Sequence, residues 1–263
     1  MKFYRIKAML IRNLYLYQRS FPRLLDILYW PVLELLLWGF ISAYLEKSSL
    51  GGVNILTLLM GAIIFWDLMS QSQRAVSVSF LEELWEKNFL NIFVSPLKLN
   101  EFLAASVLLG LVRVVLVSVV MGLLAFLFYS FNIFIFGFTL IPLLINLLLF
   151  GWILGLFTMG IVLRYGSSAQ VLAFGFIALI QPFSAVFYPV SALPQKLQYV
   201  SYALPSTYVF EGMRAVVSTG IFPWKLFGFG LGLNILFLVL VIFYFHKMFA
   251  WVKKKGLLAK LDF

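Results

Sequence analysis

The chain has 263 residues, 63% of them hydrophobic and only 11% charged, with a formal net charge of +10 and a mean hydropathy of +1.02. An ordinary soluble domain is about 25% charged and about 45–50% apolar, so a water-soluble enzyme and a disordered chain are both excluded and an integral membrane protein is indicated; with Phe and Leu dominant and no ten-residue alternation of the barrel type, an all-α fold is expected. The absence of cysteine excludes disulfides and thiolate metal sites, and the lone His246 leaves little for imidazole chemistry.

In chain order, residues 1–22 come first. Phe3, Leu10 and Tyr17 recur every seven residues, with Arg5, Arg12 and Arg19 in step two positions later. At 100° per residue the two rows face opposite ways, which predicts an amphipathic interfacial helix with aromatics in lipid and arginines near phosphates. Simple topology enforcement by positive charge is the alternative.

A window of about 19 residues then finds six stretches long enough to cross a bilayer. They lie near Leu24–Tyr44, Val53–Met69, Leu103–Tyr129, Phe138–Leu163, Ser168–Tyr188 and Phe227–Phe249. The first span contains Asp26, Pro31 and Glu34. A carboxylate at mid-depth costs about 2.5–3.5 kcal/mol on insertion scales and normally finds a partner inside the bundle. Arg113 of the third span sits at a matching depth, about 15 Å from the cytoplasmic side, so an intramembrane Glu34–Arg113 pair is expected. The competing reading is that Arg113 snorkels or meets a lipid phosphate.

Residues 70–102 read as a long cytoplasmic loop. Within it Leu81, Leu84 and Trp85 share one helical face while Glu82, Glu83 and Glu86 fall largely on the other. This predicts a short amphipathic helix ending before Pro96. Its acidic face would be repelled by anionic lipid, so a docking surface for a cytoplasmic protein is expected, with a solvated connector as the alternative. In the fourth span the Gly151–Gly155 spacing suits close helix packing, without saying which helices meet.

The external segment 189–226 is apolar and punctuated by Pro189, Pro194, Pro205 and Pro223. Short helices are predicted over residues 193–203 and 206–217, dipping back into the outer leaflet, with Glu211 and Arg214 placed to pair at i, i+3. The bland reading is a packed cap. The sharper one is an external gate that includes Pro205, Tyr208, Glu211 and Arg214.

Lys and Arg orient the set. Fifteen fall on the side of the termini and four on the other, with Arg113 inside a span. This predicts a multi-pass protein of the inner (cytoplasmic) membrane with both termini cytoplasmic. Because the charge sits at membrane edges, it points to lipid and not to nucleic acid. No phosphate-cradling Gly-x4-Gly-Lys-Ser/Thr run, His-Glu-x-x-His or Gly-x-Ser-x-Gly is found, so no catalytic residue, metal ligand or nucleotide site is assigned to this chain.

Four stretches carry a resemblance over essentially the full length. They are Arg23–Asp26 leading into Tyr29–Gly39; Leu81–Glu86 followed by Val94–Leu97; Leu193-Pro194 through Leu204–Tyr208; and Phe210–Arg214. Together the chain resembles a permease subunit of the ATP-binding-cassette type-2 exporters, which move drugs, lipids and polysaccharides. The resemblance implies a single permease domain with six transmembrane helices, an N-terminal interfacial helix, a cytoplasmic coupling helix and two short re-entrant external helices. It further implies that Leu81, Glu82, Glu83, Leu84, Trp85 and Glu86 dock onto a separate nucleotide-binding ATPase subunit holding ATP and Mg²⁺, and that a second permease copy completes the transporter. The competing functions are a membrane-embedded lipid-linked transferase and a secondary transporter or channel, for which Glu34, Arg113, Asn146, Gln181 and Asn234 are the scarce polar material within the spans.

Overall fold

The computed structural model describes residues 1–48, 55–86 and 88–255. The predicted start of the second span at Val53, together with Lys87 and Lys260, lies outside the described residues. The described residues form ten α-helices joined by short 3-10 turns, and they contain no strand.

Five helical stretches are long and apolar enough to cross a membrane: Phe21–Lys47, Ile55–Trp85, Leu99–Tyr129, Ile133–Tyr165 and Trp224–Lys254. They correspond to helices α2 (Phe21–Ser48), α3 (Ile55–Trp85), α5 (Leu99–Tyr129), α6 (Leu140–Tyr165) and α10 (Trp224–Lys254). The predicted span Ser168–Tyr188 is instead a shorter apolar stretch, Gln170–Phe183. Its core is α7 (Gln170–Ile180). Pro182 sits in a 3-10 turn directly after it, and Ala185 takes a left-handed φ of 52°, so the chain turns away after roughly 20 Å of helix.

The largest departure from the sequence reading lies in residues 70–85. They are not loop. Helix α3 runs unbroken for 31 residues, roughly 46 Å, and is buried along most of its length among α2, α5, α6, α7 and α9. The run Ser70-Gln71-Ser72-Gln73 looked like a connector because hydropathy counts polarity and not partners. Each of these side chains finds one. The Ser70 hydroxyl donates to Trp66 O at 3.0 Å and the Ser72 hydroxyl to Leu148 O at 3.0 Å. The Gln71 amide donates to Ile27 O at 3.1 Å and the Gln73 amide to Ala173 O at 3.2 Å. Three of these four bonds tie α3 to another helix, which is how polar groups are tolerated where no water reaches them.

Helix α6 approaches α3 most closely. A Cβ added at Gly151 would lie 2.7 Å from Met69 O, and one added at Gly155 would lie 2.8 Å from Gln73 O and from the Val76 Cβ. Backbone cannot yield there, so the two glycines are what allow contact. Asn234 of α10 donates to Asn146 O of α6 at 2.8 Å and to the Asn146 side chain. These asparagines therefore join helices.

One end of the bundle gathers the C-termini of α3, α6 and α10 with the start of α5. His246 Nε2 lies 3.2 Å from Asn100 Oδ1, and the Arg164 guanidinium rests 5.5 Å from the Trp251 ring centroid. Helices α8 (Gln195–Tyr202) and α9 (Pro205–Thr219) close the other end.

Gly155→Ala should lower stability by about 1–3 kcal/mol through overpacking, although alanine favours helix by about 1 kcal/mol over glycine. Gly232→Ala in α10, where an added Cβ meets nothing within 4 Å, should be neutral or stabilising. Thermal melting in detergent distinguishes these opposite signs.

Candidate functional site

Helix α1 (Phe3–Gln18) buries Ile6, Met9, Asn13 and Tyr17, a stripe at helical spacing that packs on α5 and α2. The heptad reading therefore needs correction. Phe3 is 75% exposed while Tyr17 is 7% exposed, so the predicted aromatic row does not share one environment. Arg5 and Arg12 are committed to protein carboxylates. Arg12 forms a bidentate pair with Glu83, one contact being Nη2 to Oε2 at 3.2 Å, and lies 3.6 Å from Glu86. Arg23 also pairs with Glu86, and the Tyr17 hydroxyl donates to Glu82 at 3.2 Å.

The predicted docking residues accordingly divide. Leu81 to Trp85 are the last turns of α3 and not a separate helix. Leu81, Glu83 and Leu84 are buried, and Glu82, Glu83 and Glu86 face the arginines and tyrosine of the N-terminal region. The acidic face is thus consumed inside the chain, because three carboxylates beside three cationic or hydroxyl donors are better neutralised by them than left to solvent. Trp85 remains 49% exposed. The helix breaks after it, and the six-residue α4 (Phe89–Val94) follows before α5, with Val94 86% exposed.

Glu101, which the sequence reading passed over, fixes the other end of α1. It is fully buried. It accepts from the backbone N–H of Lys98 at 3.0 Å and of Lys2 at 2.7 Å, and pairs with Arg5 at 3.4 Å. An acid three residues after the N-cap Lys98 of a helix that follows Pro96 is the available signal.

The expected Glu34–Arg113 pair does not form. The Glu34 carboxyl meets Asp67 of α3, and the charge of Arg74 acts on both. The reason lies in α3. Because that helix continues to Trp85, Asp67 and Arg74 sit within it and not at its mouth, near enough for their charges to act on Glu34. Arg113 is 5% exposed and stacks on the Tyr17 ring at 4.6 Å. Among the described residues it has no ion pair, and its Nε is buried without a hydrogen-bond partner.

In the segment 189–226, predicted to be external, Glu211 and Arg214 do pair, at 3.2 Å. Glu211 also accepts from Val190 N–H at 2.7 Å, and Arg214 donates to Ala185 O at 2.7 Å and Val186 O at 3.3 Å. The pair thus clamps α9 to the strained turn at Ala185. Pro205 begins α9 and is buried. The Tyr208 hydroxyl donates to Tyr202 O at 2.9 Å, and burial, with Tyr202 nearby, pushes its pKa above the usual tyrosine range.

Removing Arg12 would leave Glu83 buried without its main counter-charge. Arg12→Ala should cost about 2–3 kcal/mol, above the usual 0–1 kcal/mol of an exposed pair. Combined with Glu83→Gln, the two should fall short of additivity by about 1–3 kcal/mol. Denaturation of the four proteins in a double-mutant cycle measures this, and additivity would remove the ion pair from the fold's account.

The comparisons with known proteins fit this architecture. Comparison with individual curated proteins returns no match. A family model described as ABC-2 type transporter matches residues 4–218, running from α1 through α9 and so covering the N-terminal helix, the polar spine of α3 and the clamped external segment. On that match the chain belongs to the ABC-2 type transporter family, a family of membrane transport components.

Proposed function

We propose that this chain is the membrane-spanning subunit of an ATP-driven exporter of amphiphilic drugs, lipids or glycopolymers, worked by a separate nucleotide-hydrolysing subunit. In this reading the shorter stretch Gln170–Phe183, continued by its flanking turns, is a sixth crossing. The end carrying most of the basic residues and both termini faces the cytoplasm of the inner membrane, α8 and α9 sit as re-entrant helices in the outer leaflet, and two copies form the transport path.

The observation that carries the reading is the foot between α3 and α5. Two long apolar helices converge on a six-residue helix, and this foot exposes the large apolar side chains of Trp85 and Val94. An exposed tryptophan beside a short helix at the end of two spans suits the groove of a cytoplasmic protein. The docking surface then centres on Trp85 and α4, with Leu81 and Leu84 supporting it from below and Glu82, Glu83 and Glu86 bracing it against α1. A second reading, transport driven by an ion or proton gradient, draws on the Glu34–Asp67–Arg74 cluster, since ionisable groups inside spans commonly mark ion paths.

Co-expression with a candidate ATPase subunit that carries a phosphate-binding loop tests the first reading. Trp85→Ala and Val94→Asp should each weaken co-purification by roughly thirtyfold or more, the effect of losing an anchor worth about 2 kcal/mol, and should uncouple hydrolysis from transport in vesicles. Full transport by the purified chain without the ATPase or ATP would overturn it. Loss of that transport in Glu34→Gln or Asp67→Asn would then favour the gradient-driven alternative.

A further inference from the structure

Beside α1, between α2, α3, α5 and α7, lies a cavity of about 470 Å³. Its rim carries exposed side chains, including Trp85, Glu86 and Phe174, and its deeper wall carries the buried Ile27, Val78, Tyr17 and Arg113. Of its acids, Glu86 is held by Arg12 and Arg23, and Glu82 accepts the Tyr17 hydroxyl. Asp26 is exposed at the outer edge. Of its two arginines, Arg23 is therefore taken and Arg113 is not.

The guanidinium of Arg113, a residue only 5% exposed with a buried Nε, carries a large desolvation cost unless an opposite charge meets it. The Tyr17 ring covers one face of the group at 4.6 Å, which supplies only part of the compensation. Its Nε has no acceptor. The in-plane donors of an arginine suit a tetrahedral or planar oxyanion, and the wall around this one is apolar on the Ile27 and Val78 side, as an acyl or isoprenoid chain would require.

We propose that this cavity is a binding site for a phosphate group carried on an amphiphile, with Arg113 holding the phosphate and the apolar wall receiving the first part of its tail. The site stands on burial and geometry and does not depend on the export reading. Inorganic phosphate would present the same chemistry to Arg113 but would leave the apolar wall unused.

The test is retention of lipid by the full-length chain, reconstituted in vesicles of equal parts phosphatidylglycerol and the phosphorus-free digalactosyldiacylglycerol, then extracted and read by native mass spectrometry. The wild type should retain the phospholipid in preference to the glycolipid. Arg113→Gln should reduce that retention by about tenfold or more, since a charge-assisted bond in a buried site is lost. Arg113→Lys should reduce it only severalfold, because charge remains but the forked geometry does not. Arg19→Gln, at an exposed arginine just past the end of α1, should change nothing. Displacement of the lipid by added inorganic phosphate would support a site selecting the phosphate group itself. Persistence against it would support one that also holds the tail. Equal retention by wild type and Arg113→Gln overturns the proposal. If Arg113→Gln fails to fold, equal retention of the two lipids by the wild type overturns it in the same way.

Discussion

The constraint on which this structure depends is that a polar group surrounded by apolar chains must find its partner within the protein. Helix α3 meets it along most of its length. Ser72 and Gln73 reach carbonyls of α6 and α7, Gln71 reaches one of α2, and Ser79 meets Ser106 of α5 at 3.3 Å. These bonds replace the hydrophobic drive that organises a soluble core, because lipid is as apolar as leucine and does not push helices together. The glycines of α6 serve the same end by another route, bringing backbones close enough for dispersion contacts to accumulate.

The same constraint explains what could and could not be read in the residues. Apolar runs of sufficient length identified the lipid-facing helices α2, α5, α6 and α10, whose outward positions are exposed leucines, valines and phenylalanines. Proline punctuation delimited α8 and α9, and the i, i+3 spacing of Glu211 and Arg214 was enough to place their contact. The polar half of α3 was illegible, because a serine satisfied by a neighbouring helix and a serine satisfied by water are the same letter. That one misreading displaced Asp67 and Arg74 to a helix mouth and left Arg113 as the apparent partner of Glu34. It also made Leu81–Glu86 look like a free amphipathic helix when those residues close a long rod.

Charge is distributed by the same rule. Glu83 and Glu101 are 3% and 0% exposed, and each receives an arginine of α1, so the N-terminal helix is fastened at both ends to the helices flanking α4. Sequence periodicity correctly isolated α1 as amphipathic but assigned its arginines to lipid phosphate, because the carboxylates that claim two of them lie far along the chain, 71 positions away for Glu83 and 96 for Glu101. Long-range pairing of this kind leaves no local trace.

The mechanical consequence follows from continuity. Between Ile55 and Trp85 the backbone of α3 has no proline and no interruption of its helix, and α1 braces its lower turns through Glu83 and Glu86. A helix so enclosed does not bend to absorb a displacement at one end, since kinks arise at proline, at π-bulges or at inserted groups. A force applied at Trp85 and α4, whatever applies it, is therefore delivered to Asp67 near Glu34 and onward to the opposite end of the bundle, and it reaches the cavity wall at Val78 on the way. Neighbouring helices must then move with α3 or slide along it. The two glycine contacts with α6 favour common motion, because backbone seated within van der Waals distance of backbone leaves no soft side chain to shear.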